Sequence, residues 1–169
     1  MDLVHRAPRR YVVALGAHPH AAVANAITFT GSGSREQLTA MLTELEQGKV
    51  HHVAFVVPSG VVWGLPAYEL ALMTAAWLAA RGIAGVELGL VTPEDEPLHL
   101  FGKEASGAVR ALLDERGIAV HTRAYPAQAR PGELLLAADR IVVADRVVAL
   151  PRLQGPRIGG VPQTFEGFI

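Results

Sequence analysis

The longest uninterrupted hydrophobic pattern in the chain spans residues 52–82 and predicts a strand, a turn and a helix. Residues 53–57 are β-branched, aromatic or small without a polar break, which is typical of a parallel strand covered on both faces. The prolines and glycines that follow predict a turn, and Pro66 suits the first turn of a helix. From Ala67 to Arg81 nearly every face of the predicted helix is apolar, so we expect this helix to pack on more than one face.

Two further apolar strands extend this pattern into a βαβ arrangement. Residues 86–91 and 118–122 alternate with helical segments, which predicts parallel strands lying side by side with residues 53–57 in the centre. The helices at 67–81 and 103–116 are expected to pack against that sheet, because crossovers between parallel strands are right-handed. The apolar face of the second helix is predicted to contain Val109, Leu112 and Leu113.

An amphipathic helix precedes the central strand. Ser34 and Gln37 form a capping-box pattern at its start, and Gly48 is placed to end it. Further upstream, residues 11–15 have the pattern of a short apolar strand. The apolar face of the helix is predicted to contain Leu38, Met41, Leu42 and Leu45.

The C-terminal part of the chain predicts antiparallel structure. Residues 134–136 and 141–143 are short apolar runs separated by a polar turn, which indicates a hairpin. Residues 125–132 are interpreted as a connector, residues 145–150 as a last strand and residues 151–169 as a tail. Together these elements predict an α/β fold: a Rossmann-like three-layer domain with a central parallel sheet and a C-terminal antiparallel hairpin.

Composition narrows the classes of function. The 169 residues favour one domain, and 15 basic against 16 acidic residues give no electrostatic footprint for nucleic acid or an anionic membrane. The chain contains no cysteine, which excludes disulfides, thiolate metal sites and a redox dithiol within it. No apolar run reaches the roughly 18 residues of a membrane span, and residues 1–10 lack the apolar segment of a secretory signal peptide. We therefore expect a soluble, cytoplasmic domain.

Six of the seven histidines invite a metal-site interpretation, but their spacing fits no zinc pattern and they lack cysteine or paired carboxylate partners. We interpret them as surface or strand-end residues. Likewise, no nucleophile motif surrounds Ser106. The six histidines are His18, His20, His51, His52, His99 and His121.

Several short stretches, taken in their order along the chain, resemble one known domain. They are similar to the NAD(P)-binding-type domain of FAD-dependent pyridine nucleotide-disulfide oxidoreductases, in the branch of sulfide:quinone oxidoreductases and type II NADH dehydrogenases. Residues 12–19 and 145–151 resemble the strands that connect that domain to the FAD domain. The remaining stretches are Glu69-Leu70-Ala71, Val91-Thr92-Pro93-Glu94, Phe101-Gly102 and residues 112–118.

The resemblance implies a place within a longer flavoenzyme. Residues 1–33 would lead in from the FAD-domain side, residues 34–150 would form the Rossmann-like core, and residues 151–169 would return to the FAD domain. It further implies FAD as cofactor of the full-length enzyme, hydride or electron transfer through it, and the FAD-binding remainder as partner. A homodimer is a further candidate assembly. Because the Gly-rich FAD fingerprint is not found in these residues, we expect the isolated chain to be inactive.

The turn at 58–66 is the first candidate nucleotide contact. A pyrophosphate is bound by backbone N–H groups that glycines expose at a helix N-terminus. Here Pro58 and Pro66 remove donors, and Val62 and Trp63 add bulk. Two interpretations of the turn therefore remain open: it only connects the strand to the helix, or it forms a weak NAD(H) site. If a nucleotide binds, the expected contacts are Ser59, Gly60, Gly64, Glu69, Thr92 and Glu94.

The acidic candidates also leave two interpretations open. Glu69 matches a glutamate that faces the nicotinamide in the resembling family, but it equally fits a carboxylate favoured by the helix dipole in a first turn. Thr92 and Glu94 follow the second strand, where an acidic residue accepts hydrogen bonds from ribose hydroxyls, although a solvated acidic loop has the same pattern. No basic residue lies in 92–97, which disfavours NADP. The alternative function is a degenerate, non-enzymatic domain for packing, dimerisation or partner binding.

Overall fold

The computed structural model describes residues 25–152, 159–160 and 162. The strand predicted at 11–15 and most of the tail lie outside these residues. In the described part, a parallel sheet contains β1 (Ala26–Thr28), β2 (His52–Val56), β3 (Glu87–Val91), β4 (Ile118–His121) and β8 (Arg146–Ala149). An antiparallel sheet contains β5 (Pro126–Arg130), β6 (Glu133–Leu136) and β7 (Ile141–Val143). The helices are α1 (Arg35–Glu46), α2 (Leu65–Arg81) and α3 (Lys103–Glu115).

The parallel sheet has the strand order β1-β8-β2-β3-β4, so β2 is its central strand. Phe55 of β2 lies in register between Leu90 of β3 and Val148 of β8. The three predicted parallel strands are neighbours, with β3 between β2 and β4. β2 is central because β8 and β1, which were not predicted in this sheet, lie on its other side. The predicted α/β fold class is confirmed.

The two faces of the parallel sheet bury different cores. Because side chains alternate along a strand, Val53 and Phe55 pack with the helices, whereas Ala54 and Val56 pack with the antiparallel sheet. The helix-side core is large and apolar, and its fully buried side chains include Met41, Leu45, Tyr68 and Leu113. The result is a layer of helices, the parallel sheet and the antiparallel sheet, in that order.

Helix α2 packs differently from the prediction. Its buried residues lie on one face, and the expectation of packing on several faces is wrong within the described residues. Met73, on the opposite side, is 68% exposed. Pro66 does lie in the first turn, and the left-handed Gly82 (φ 66°) ends the helix. The buried face consists of Ala67, Tyr68, Ala71, Thr74, Ala75 and Leu78.

Two further local predictions are corrected. Leu113 is fully buried, but the adjacent Leu112 is 38% exposed, because successive helical residues are about 100° apart and only one can face the sheet. Ser34 does not form a capping box. Its hydroxyl donates to the Thr28 carbonyl at 2.9 Å and accepts from the Thr30 N–H at 2.7 Å, which ties the start of α1 to β1.

The antiparallel sheet confirms the predicted hairpin and adds a strand. β6 and β7 pair with Leu134 opposite Val142. The interpretation of residues 125–132 as a connector is wrong, because Pro126–Arg130 forms the edge strand β5 beside β6. A proline is tolerated there since the first residue of an edge strand need not donate to the ladder. Among the described residues, no helix is long and apolar enough to cross a membrane.

Candidate functional site

The candidate site lies at the carboxyl ends of β2 and β3. β2 leads through the turn at residues 57–64 into α2, and this turn contains the left-handed Gly60 (φ 83°). Gly64, at the N-cap of α2, has a φ of −77°, which any residue can adopt. Its surroundings do not require glycine either, because an added Cβ would make ordinary van der Waals contacts. A Cβ atom at this position would lie 3.4 Å from Val57 Cγ2 and 3.6 Å from Glu94 Oε2.

The Glu94 side chain is the centre of a hydrogen-bond network beside this turn. Its Oε2 accepts a hydrogen bond of 2.6 Å from the Tyr68 hydroxyl and one of 2.8 Å from the Thr92 hydroxyl. The Tyr68 oxygen in turn lies 3.3 Å from the Leu98 N–H, which donates to it. The structure thus brings together three predicted residues, Gly64, Thr92 and Glu94.

Tyr68 is a site residue that the sequence prediction missed. It is buried on α2, and a buried tyrosine hydroxyl generally has a hydrogen-bond partner. A tyrosine in an otherwise apolar helix face was therefore the available signal. Burial raises the pKa of the Tyr68 phenol far above its ordinary value, and the hydrogen bond to Glu94 raises it further. Tyr68 accordingly remains a proton donor to the Glu94 carboxylate.

Four positions in and just after the turn offer no free backbone N–H group to a ligand. The Val61 N–H is bound to the Pro58 carbonyl at 3.2 Å, and the Ala67 N–H to the Gly64 carbonyl at 3.0 Å. Pro58 and Pro66 have no N–H to offer. A phosphate at this helix N-terminus would also lie beside the carboxylate of Glu94, which has the same sign of charge.

The other predicted contacts lie apart from this network. Ser59 is half-buried and Gly60 exposed in the turn. Glu69 lies on the exposed side of α2 and in its second turn, because the helix begins at Leu65. The interpretation of Glu69 as a first-turn carboxylate is therefore wrong. Trp63, 51% exposed, contacts Phe101 edge-to-face with ring centroids 5.5 Å apart.

A second polar cluster lies at the opposite, amino-terminal edge of the parallel sheet. Oδ2 of Asp145 accepts from the backbone N–H groups of His51 at 2.8 Å and His52 at 2.9 Å, and lies 3.2 Å from His52 Nδ1. Partial burial acts to raise the pKa of Asp145, but these donors and the His52 ring outweigh it, so the pKa lies below its ordinary value. This cluster joins the starts of β2 and β8.

A cleft of about 290 Å³ is lined by residues of β2, β3, β4 and β7. His52 and His121 both line it, and Gly89 contributes to its floor. Burial lowers the pKa of His121, and the nearby Arg140 lowers it further. In the part of the chain that the structure describes, no group of three or more histidine, cysteine, aspartate or glutamate side chains is arranged to hold a metal ion.

Comparison with known proteins gives matches among solved structures. No family model matches the chain, and a search of curated proteins finds no match. The chain is similar to the sulfide:quinone oxidoreductase of the hyperthermophilic bacterium Aquifex aeolicus, with a TM-score of 0.70 and 26% identity. That match covers 78% of this chain and 32% of the oxidoreductase.

Two further solved structures share the fold at lower identity. Reduced CoADR-RHD of Bacillus anthracis matches with a TM-score of 0.58 and 14% identity, over 85% of this chain and 24% of that one. An engineered water-forming NADPH oxidase bound to NADPH matches with a TM-score of 0.61 and 10% identity, over 84% and 29%. The chain thus spans about a third or less of each of these three proteins, and its Rossmann-like fold is that of a domain within these oxidoreductases.

Proposed function

We propose that the chain is the NAD(P)-binding-like domain of an FAD-dependent pyridine nucleotide-disulfide oxidoreductase of the sulfide:quinone type. Its identity of 26% over 78% of its length with one such enzyme supports this assignment, as do the motifs around Glu69 and Glu94. In the full-length enzyme the domain takes part in hydride or electron transfer. Bound FAD would supply that chemistry from the remainder of the polypeptide, which is the proposed partner.

Within this function, the position of Glu94 supports a degenerate nucleotide site. Its carboxylate lies against Gly64 at the N-terminus of α2, where a bound pyrophosphate would need positive potential and free N–H groups. The Tyr68 and Thr92 hydroxyls hold the carboxylate there. The domain therefore contributes packing surface to the enzyme, and its affinity for NAD(H) is low.

Calorimetric titration of the isolated chain with NADH tests this proposal. Losing two charge-assisted hydrogen bonds weakens a micromolar site to about millimolar, so we expect binding in the millimolar range or none. NADPH should bind no more tightly, because residues 92–97 contain no arginine or lysine.

Micromolar NADH binding that disappears in the Gly64→Val variant would contradict the degenerate site. Gly64→Ala is the matched control, since its Cβ makes ordinary van der Waals contacts of 3.4–3.6 Å. Circular dichroism must show that both variants fold. The flavoenzyme assignment is tested separately: a Gly-rich FAD fingerprint encoded upstream would support it, and coding sequence on both sides without flavin-binding motifs would contradict it.

A further inference from the structure

The segment between β3 and α3 is long and largely exposed. It consists of residues 93–102, which we call the strap, and its middle is a single 3₁₀ turn, His99–Phe101, that buries no side chain. Within the strap only Pro97 and Leu98 are buried. A segment with few buried side chains opens at a lower free energy than the strands of a sheet. The strap is therefore a segment that can open while the rest of the domain stays folded.

Left-handed backbone lies on both sides of the 3₁₀ turn. Leu98 has a φ of 51°, which is unfavourable for a residue with a side chain, and Gly102 has a φ of 90°. The Leu98 side chain is 5% exposed and packs in the helix-side core, which keeps the strap in this strained conformation. Opening would relieve the strain, and a few loop residues with such dihedral angles are where a moving segment changes direction.

The hydroxyl of Tyr68 holds the strap at two points. It donates to Glu94 Oε2 at 2.6 Å and accepts from the Leu98 N–H at 3.3 Å. Tyr68 itself is 1% exposed, so packing fixes its position on α2. A third contact, at the far end of the strap, is the edge-to-face pair of Phe101 with Trp63 of the turn. The strap and the turn thus meet beside the carboxyl ends of β2 and β3.

We propose that the strap opens and closes as a unit beside the carboxyl ends of β2 and β3, and that the hydrogen bonds of the Tyr68 hydroxyl keep it closed. Open α/β sheets bind their ligands at this edge, so the strap controls access to the candidate site. In naming that site the proposal rests on the proposed function. The opening itself is a property of the chain without a ligand.

Removing the hydroxyl would leave two polar groups without a partner. The Leu98 N–H would lose the acceptor that it has in the buried interior, and Glu94 would keep only the Thr92 hydroxyl of its two hydroxyl donors. Water reaches the Leu98 N–H only when the strap opens, so the substitution favours the open state. Loss of a hydrogen bond to a charged group changes an equilibrium constant by roughly 10- to 100-fold.

Hydrogen exchange of the full chain at about 0 to 1 M urea tests the proposal. The amides to follow are those of His99, Phe101 and Gly102, whose N–H groups are bonded within the strap and not to Tyr68. In Tyr68→Phe they should exchange roughly 10- to 100-fold faster than in the wild type.

The dependence on urea separates local opening from global unfolding. In the wild type and in Tyr68→Phe, exchange of the three strap amides should be nearly independent of urea, because local opening exposes little surface. The Val57 amide, which donates to the Val91 carbonyl in the sheet, should exchange faster as urea rises. The wild type alone therefore tests the opening even if the variant fails to fold.

Two variants serve as controls, and circular dichroism confirms that each one folds. Tyr125→Phe removes the hydroxyl of a tyrosine that is 48% exposed, and its strap amides should exchange at the wild-type rate. Glu94→Gln should accelerate exchange less than Tyr68→Phe does, because the amide oxygen still accepts from the Tyr68 hydroxyl and the bond to Leu98 is untouched.

Three results would overturn the proposal. The first is unchanged exchange of the strap amides in Tyr68→Phe, and the second is an equal acceleration in Tyr125→Phe. The third is exchange that depends on urea as steeply as that of Val57, because the strap would then open only by global unfolding. No nucleotide enters this experiment, so its failure is distinct from a failure of the proposed function, which the NADH titration tests.

Discussion

Replacing Glu94 by glutamine should strengthen NADH binding. Glutamine has nearly the shape of glutamate, and its side-chain oxygen can accept the same hydrogen bonds from the Tyr68 and Thr92 hydroxyls. The substitution therefore removes the negative charge beside Gly64 while it preserves the local packing.

The expected gain follows from the position of the carboxylate. A phosphate bound at the N-terminus of α2 would lie on the order of 5 Å from Glu94, where two like charges repel by about 3 kcal/mol at an effective dielectric constant of about 20. Because Glu94 is only half-buried, solvent and salt reduce this repulsion to about 1–2 kcal/mol. Removing it corresponds to roughly 5- to 30-fold tighter binding.

Calorimetric titration of wild type, Glu94→Gln and Glu96→Gln with NADH decides the sign of the effect. Glu96 is exposed in the same loop, so its substitution controls for the loss of one charge. If Glu94 instead accepts hydrogen bonds from the ribose, Glu94→Gln weakens binding, and the reasoning from charge repulsion is refuted. If both variants gained the same affinity for NADH, the position of Glu94 beside Gly64 would have no special effect.

The remaining predictions concern stability and the cofactor. Leu113→Ala should lower the free energy of unfolding by about 2–5 kcal/mol in urea titrations and the exposed Leu112→Ala by less than about 1 kcal/mol; equal losses would contradict the assigned helix face. Because the pKa of Asp145 is depressed in the folded state, the stability it contributes is present above about pH 4 and is lost as the pH falls further. Urea titrations should therefore show that Asp145→Asn lowers the free energy of unfolding by about 1–2 kcal/mol at pH 7 and by less in acid. A loss that stays constant with pH would argue against this linkage. The purified chain should be colourless after desalting, and stoichiometric flavin absorbance near about 450 nm would disprove the absence of an FAD site.

The sequence by itself determined that β2, β3 and β4 are parallel neighbours. The uninterrupted apolar run at 53–57 is stable only where both faces of a strand are covered, and the helical segment between it and the strand at 86–91 requires a parallel crossover. The hairpin of β6 and β7 was predictable for a similar local reason, since two short apolar runs flank a polar turn. The proximity of Thr92 and Glu94 was also local.

Only the tertiary structure decided which chemical groups meet. Tyr68 and Glu94 are 26 residues apart, and His52 and Asp145 are 93 apart, so no local pattern could indicate either contact. The strand β5 lacks β-branched residues and exists because β6 offers it a ladder of hydrogen bonds. A largely apolar helix such as α2 has no polar stripe to mark its outer side, so its periodicity could not show which face the sheet would bury and which it would leave exposed.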